Sequence, residues 1–547
     1  MQEESIDSVT LSVIRARLEV ITDEMDVTMF RTALSPVIAD SHDACHGIYH
    51  PEHGGTIAQG SHGHPIFVGA MAHAVAHLIK RQGPEGVHPG DMFMINDPYI
   101  SGTHVQDVKV IAPVFVDDKL FCWVGGCGHW IDIGGPAPGN WNPGAGSIFQ
   151  EGLRIPLVKI VSGGVLQQDL LDLVTANVRL PTWAASDLQS EIQVLTIGVR
   201  GITQLCAEFG AGVVRTAVET LIKRSASMVR QRIAEIPDGT YSFDDHLDND
   251  GLTPQPLALN VDVVVKGDSL TLDFSRTTDK GNGPYNISRA TLEAACFVAI
   301  KHIFADVPAN AGVMEAMRIV PSPGSFLSVE WPAAVGAYTE VSLRVIDTVM
   351  GAMAQAMPGQ LWGCAFNTVS SLVISGEDQG KTFVTFLYFG GGLGGSPHGD
   401  GMNHSASALS NSYIASAEMV ESRFPLQFRQ WALRPDSGGA GEYRGGLGST
   451  YEVELTCDKA QSFFVGERGV FAPYGVMGGQ PGALATLTYQ LQGETMVPPL
   501  KSKAERIEMH RGDRVTVQTP GGGGYGQAGL RAEQARATDR LLGYTSS

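Results

Sequence analysis

Asp91-Met-Phe-Met-Ile95, Asn96-Asp97-Pro98, Val108-Lys-Val-Ile-Ala-Pro-Val-Phe-Val116, Asp117-Asp118 and the run from Leu120 to Gly126 decide how the N-terminal quarter of this chain folds. Short runs rich in Val, Ile and Phe, bounded by Asn, Asp and Pro, are predicted strands separated by turns. The stretch therefore reads as strand, turn, strand, two-residue turn and returning strand. Its polar groups gather at the strand ends, where sites are commonly built.

Working outward, residues 8–33 are predicted to be an amphipathic helix, because Leu11, Ile14, Leu18, Ile21, Met25 and Met29 recur at steps of three and four. Residues 40–64 read as loop with short strands, and 68–82 as a second helix stopped at Gly83-Pro84. Residues 134–152 form a long Gly, Pro and Asn-rich loop of the kind that is usually functional. Residues 186–234 are predicted mainly helical, with Ser186-Asp187 as cap, followed by strands at 257–265 and 269–274 and a helix around 289–303. From 360 onward the chain is Gly-rich, short-stranded and turn-rich, and a short helix or a frayed tail is expected after 529. The expected fold class is α+β and multidomain, helical segments plus short-stranded mixed sheets. Four regions are anticipated: 1–160, 161–240 (mainly helical), 241–350 (α+β) and 351–547 (β-rich).

Length and composition narrow the function. A chain of 547 residues exceeds one ordinary core. A formal net charge of -19 and the lack of Lys/Arg clusters argue against nucleic acid and anionic membrane as partners. The acidic start carries no signal peptide, and no apolar run is long enough to span a membrane. Seven scattered cysteines without a CxxC pair fit a reduced, cytoplasmic setting. Histidine is the uneven residue: eleven of sixteen lie between His42 and His129, which marks where chemistry is to be sought.

Within that region His104 and Asp107 stand three apart at a strand entrance, and His129 lies on the return strand. Two imidazoles and a carboxylate can make an open three-ligand site for Zn, Mn or Fe(II), able to polarise a carbonyl or acidify a water. The alternative is two turn histidines and an aspartate that caps a backbone amide. Asp43 is a candidate fourth ligand or general base, or else a loop carboxylate binding backbone N–H groups.

NDPYISGTHVQDV (96–108), GHWIDIGG (128–135) and Gly152 within QEGLRIP (150–156) resemble the hydantoinase B / oxoprolinase / acetone carboxylase family, whose pattern runs NDPY.GGTH..DV, GHxxDIGG and EGl.iP. The likeness continues through Pro308, Asn310 and Gly312, then Asn411, Glu418, Glu421, Arg423 and Pro425. Arg434 to Gly441, Arg444 to Gly448 and Thr519 to Gly526 complete it, so it spans nearly the whole chain. The resemblance implies a metal site of His104, Asp107 and His129, with Asp43 as the aspartate that some relatives add, and Asp43 and His129 as catalytic candidates. It also implies ATP with Mg held by a hydantoinase A-like partner subunit, in a heterotetramer of two of each. The implied reaction is ATP-dependent opening of a hydantoin, 5-oxoproline or other lactam. Ketone carboxylation with bicarbonate is the alternative, and a non-catalytic scaffold for the ATP subunit is the third. One departure stands out: Phe67 occupies a turn where the family usually has His, with His62 and His64 just before it.

Other signals carry less. His73 and His77 share a helix face but lack the Glu of HExxH. Residues 375–382 nearly match a phosphate loop, yet a strand follows where the motif needs a helix, so a hairpin is expected. Gly390, Gly392 and Gly395 fit GxGxxG without a following helix. Asp244, Asp245, Asp248 and Asp250 with Gly251 read as a solvated turn, and the tetraglycine at 521–524 as a tight turn.

Overall fold

A computed structural model describes residues 6–546; the acidic start at 1–5 lies outside the described residues. The quoted stretch builds the middle of a seven-stranded antiparallel sheet. Its order is Thr56–Gln59, Ala44–Tyr49, Lys119–His129, Asp107–Val116, Met92–Ile95, Val158–Ser162 and Val165–Leu166. Asp117 and Asp118 both take positive φ, 50° and 59°. That conformation suits a tight hairpin turn whose twist matches its strands, and Asp tolerates it. A bulge between Val114 and Phe115 then shifts the pairing by one residue, so that Asp107 pairs with His129 and Val108 with Gly128.

Both faces of this sheet are covered, which explains why its central strands read as continuous apolar runs. The Ser8–Thr32 helix, capped by Asp7 through the amides of Val9 and Thr10, buries Leu11, Ile14, Leu18, Ile21, Met25 and Met29. It lies against the Pro181–Phe209 helix on one face, while Pro65–Gln82 covers the other. The glycines of the Gly125 to Gly128 run let the helices approach: a Cβ at Gly125 would meet Met71, and one at Gly126 would meet Glu191 and His46.

Three further sheets follow. A four-stranded sheet orders Met317–Val320, Ser269–Asp273, Leu257–Lys266 and Gly239–Leu247, packed by the helices Arg289–Ile303 and Tyr338–Ala356. The C-terminal part carries a four-stranded and a five-stranded sheet and ends in the Glu533–Leu541 helix. The chain is thus α+β and multidomain, with helices and several small sheets, as expected. Among the described residues, no helix is long and apolar enough to cross a membrane.

Three readings of the sequence are corrected. Ser186-Asp187 does not cap a helix, because the helix starts at Pro181, whose missing N–H costs nothing in a first turn. Buried Asp187 instead accepts from the amides of Leu34 (2.8 Å) and Ser35 (3.2 Å). The acidic run at 244–251 is not a solvated turn: Asp248 and Asp250 are buried, and Asp248 accepts from the amides of Gly469 (2.7 Å) and Val470 (3.0 Å), tying it to a distant loop. The tetraglycine makes no tight turn. It threads a bundle of glycine-rich backbones, with Gly522 N donating to Gly446 O (2.9 Å) and Gly395 N to Gly523 O (2.9 Å). A Cβ on Gly521, Gly522, Gly523 or Gly524 would overlap a neighbouring carbonyl, so close approach is what these glycines permit. The 375–382 segment is the expected hairpin, Ser371–Asp378 with Lys381–Val384.

A buried charge triad joins the first layer. His46 on its strand places Nδ1 2.8 Å from Asp26 Oδ1 and Nε2 3.3 Å from Glu191, all three side chains being buried. Burial alone would lower the His46 pKa, but Glu191 and Asp26 outweigh it and raise it to about 10. The folded value lies above the ordinary 6.5, so the stabilisation is complete below that pH and is lost as pH rises through about 10. His46→Ala, which leaves two facing carboxylates buried, is expected to destabilise the protein by about 3–5 kcal/mol. Chemical denaturation of its first unfolding transition checks this, and an unchanged midpoint would count against it.

Candidate functional site

The open end of the central hairpin forms the floor of a cavity of about 330 Å³. Register supplies Asp107 and His129, and the irregular turn before Asp107, where Thr103 takes φ 64°, swings His104 beside them. His104 Nε2 lies 3.2 Å from Asp107 Oδ1, His129 Nδ1 lies 3.0 Å from the same oxygen, and the two nitrogens are 3.1 Å apart. All three residues are buried. Asp107 Oδ2 accepts from the amide of His104 at 3.4 Å, so the carboxylate also caps the turn.

Geometry sets the tautomer of His104. Its Nδ1 faces Gly336 O at 3.1 Å, and since a carbonyl only accepts, Nδ1 carries the proton and Nε2 turns a lone pair inward. Gly336 is itself fixed by buried Glu151, which accepts from the amides of Gly336 (2.6 Å) and Val335 (2.8 Å). Burial pushes the Glu151 carboxyl up to about 8, against the pull of those two amides. Behind the floor, buried Lys109 donates to Gly102 O (3.3 Å), Thr103 Oγ1 (2.9 Å) and Asp107 O (3.3 Å).

Two imidazole nitrogens and a carboxylate oxygen thus converge where at most one proton can lie between them. A cation satisfies such an electron-rich group better than one proton does, so these residues fit a divalent ion. Asp43 also lines the cavity but stands outside this cluster. Its Oδ1 has no hydrogen-bond partner and lies 3.2 Å from His64 Nε2, which also contacts Ser412 Oγ at 2.7 Å. His64, rather than exposed His62, therefore stands at the cavity beside Phe67, with ring centroids 5.4 Å apart.

Four other histidines of the N-terminal cluster make contacts away from the floor. His42 stacks on Phe30 (4.1 Å), His50 on His53 (3.8 Å), and His73 faces Glu293 at 3.3 Å. Sequence reasoning missed the walls: Trp141, Tyr338, Phe386, Tyr388, His404 and Trp431. Glu151 was within reach, because it is the chemically distinctive residue of the QEGLRIP run, beside Gly152. Lys109, a lone cation in an apolar strand, was a second such signal.

A mixed α/β chain with a buried two-histidine, one-carboxylate cluster beneath an aromatic cavity is the class that fold and site define. The Hydantoinase B/oxoprolinase family model matches residues 7–528, and the chain belongs to that family. It is 28% identical to a putative D-/L-hydantoinase component of the B type from Pseudomonas sp. (strain NS671), over 98% of this chain and 93% of that one. Its fold superposes on the crystal structure of ATP-dependent caprolactamase from Pseudomonas jessenii with a TM-score of 0.91 and 25% identity, covering 99% of this chain and 95% of that one. Acetone carboxylase shares the fold alone, with a TM-score of 0.90 at 20% identity, covering 99% of this chain and 78% of that one.

The two floor histidines are shifted in opposite directions from the ordinary histidine value. Burial lowers the His104 pKa and Asp107 only partly restores it. Burial also acts on His129, but its bond to Asp107 and the charge of Asp43 outweigh it and raise its pKa above 6.5. In ion-free protein, nitrogen NMR of labelled histidines is expected to show His129 becoming imidazolium above pH 6.5 while His104 stays neutral until lower pH. His104 charging first would contradict this geometry.

Proposed function

We propose that the chain is the metal-carrying subunit of a two-component, ATP-dependent enzyme that opens a cyclic amide, with His104, Asp107 and His129 holding one divalent ion (Zn, Mn or Fe). The convergence of these three donors at the floor of a cavity carries the reading. The hydantoinase and caprolactamase relatives support the reaction class. When bound, the ion supplies Lewis acidity toward a carbonyl oxygen that gains negative charge.

The chain's own residues do the rest. Gly336 and Glu151 hold His104 in one tautomer and one orientation. Asp43 takes a proton from the attacking water as general base, and His64 at 3.2 Å steadies the carboxylate. The aromatic walls exclude bulk water. ATP, with Mg, is held by a hydantoinase A-like partner in an assembly of two of each subunit, and phosphorylation of the amide oxygen drives an otherwise unfavourable ring opening.

The test supplies the chain and its ATP-binding partner with ATP, a cyclic amide and labelled bicarbonate. The expected result is ATP-dependent ring opening with no label in the product, about one metal equivalent per chain, and loss of both metal and turnover in His104→Ala and His129→Ala. Label retained in product would make the enzyme a carboxylase. Full activity in metal-free His104→Ala would leave the chain a scaffold.

A further inference from the structure

The cavity walls limit what can enter. Among the described residues that line it, none is Lys or Arg. The nearest buried cation behind the floor, Lys109, spends its three donors on Gly102, Thr103 and Asp107. His64 Nδ1 faces the amide of Asn411 at 3.4 Å, and a backbone N–H only donates, so that nitrogen is bare and the ring neutral. At the far wall, His404 Nε2 accepts from Trp431 Nε1 at 3.1 Å. The same nitrogen also meets the Tyr451 hydroxyl; an indole N–H only donates whereas a hydroxyl can do either, so the arrangement that suits both is a bare Nε2 on a neutral ring, with the hydroxyl donating too. Burial, which lowers the His404 pKa, acts in the same direction. Asp107 and Asp43 together offset the two charges of a divalent ion, so a filled site brings no surplus positive charge.

What the walls offer instead is flat aromatic surface interspersed with neutral hydroxyls such as those of Thr339, Thr368 and Ser407. Trp141 stands edge-on to Phe386 (5.1 Å, 85°) and to His104 (5.3 Å, 75°), and Phe386 tilts over His129 at 5.1 Å. Tyr338 packs against His104 at 4.7 Å. Rings set this way favour a planar guest by offset or edge contacts. With its carbonyl turned to the floor, a guest would leave its carboxylate among the walls, where it loses water without gaining a counterion, and an unpaired desolvated charge is strongly disfavoured.

We infer that this cavity selects an uncharged, flat amide or ketone with a largely apolar body and turns away analogues that bear a carboxylate. The inference rests on the proposed reading of the same cavity as the substrate site. It separates simple lactams and aryl-fused imides or ketones, which fit, from amino-acid-derived lactams such as 5-oxoproline, which do not.

The test is calorimetric binding to the full metal-loaded chain of two matched pairs, each differing by one carboxylate: 2-pyrrolidinone against 5-oxoproline, and isoindolin-1-one against its ring carboxylate. Each neutral member is expected to bind at least roughly 100-fold more tightly than its carboxylated partner, since an unpaired buried charge costs more than an ordinary unmade hydrogen bond. Isoindolin-1-one should be the tightest. Ile414→Arg, which places a cation on the cavity wall away from the floor, should raise affinity for the carboxylated members. Equal or tighter binding of the carboxylated members by the wild-type chain, or no binding of either neutral member, would overturn the inference. Metal content is measured on the same samples: selectivity without bound metal would contradict the metal reading and leave the selectivity standing, whereas bound metal with reversed selectivity would do the opposite.

Discussion

One strand register carries the site. Because Asp107 pairs with His129 across the central hairpin, a carboxylate and an imidazole from residues 22 apart in sequence meet at 3.0 Å. A slip of one residue would turn every side chain of one strand to the opposite face and scatter the cluster. The tight Asp117-Asp118 turn and the one-residue bulge beside Val114 and Phe115 set that register together, and the two covered faces of the sheet hold it from both sides. His104 joins from the turn just before Asp107, and its ring is aimed by a carbonyl more than two hundred residues away, that of Gly336. The floor is thus local in sequence, and its orientation is not.

That division explains what could be read in advance. The hairpin, the N-terminal helix and the convergence of His104, Asp107 and His129 depend on apolar periodicity and turn chemistry within short windows, which a sequence displays directly. The aromatic walls come from 141, 338, 386, 388 and 431, brought together by tertiary packing that no local pattern announces. The Tyr338–Ala356 helix illustrates the difficulty: it is buried on nearly every side, so it has no polar face and hence no amphipathic stripe to recognise. The corrections at Asp187 and Asp248 share a cause. Each residue looks like part of a local Asp motif, whereas its carboxylate bonds backbone amides far along the chain. The tetraglycine suggests conformational freedom when its role is close backbone packing.

Charge is buried in two styles. Around His46, two carboxylates and an imidazolium are closed off and bind the first layer together. Around His104 and His129, two imidazoles and one carboxylate open onto a cavity, leaving His129 Nε2 and Asp43 Oδ1 without hydrogen-bond partners. The first also leaves Asp26 Oδ2 and Glu191 Oε1 without hydrogen-bond partners, but it lines no part of that cavity. The second lines a cavity with room for a guest, and unpaired polar groups at the edge of such a space mark a place where something else can bind.

The central claim is that His104, Asp107 and His129 form a metal centre. Its most direct test is anomalous X-ray diffraction from crystals of the metal-loaded protein, collected on either side of the absorption edge of the bound element. The account predicts one strong anomalous peak among His104 Nε2, Asp107 Oδ1 and His129 Nδ1. A featureless map there, with the two imidazoles still facing each other and only protons between them, would contradict it.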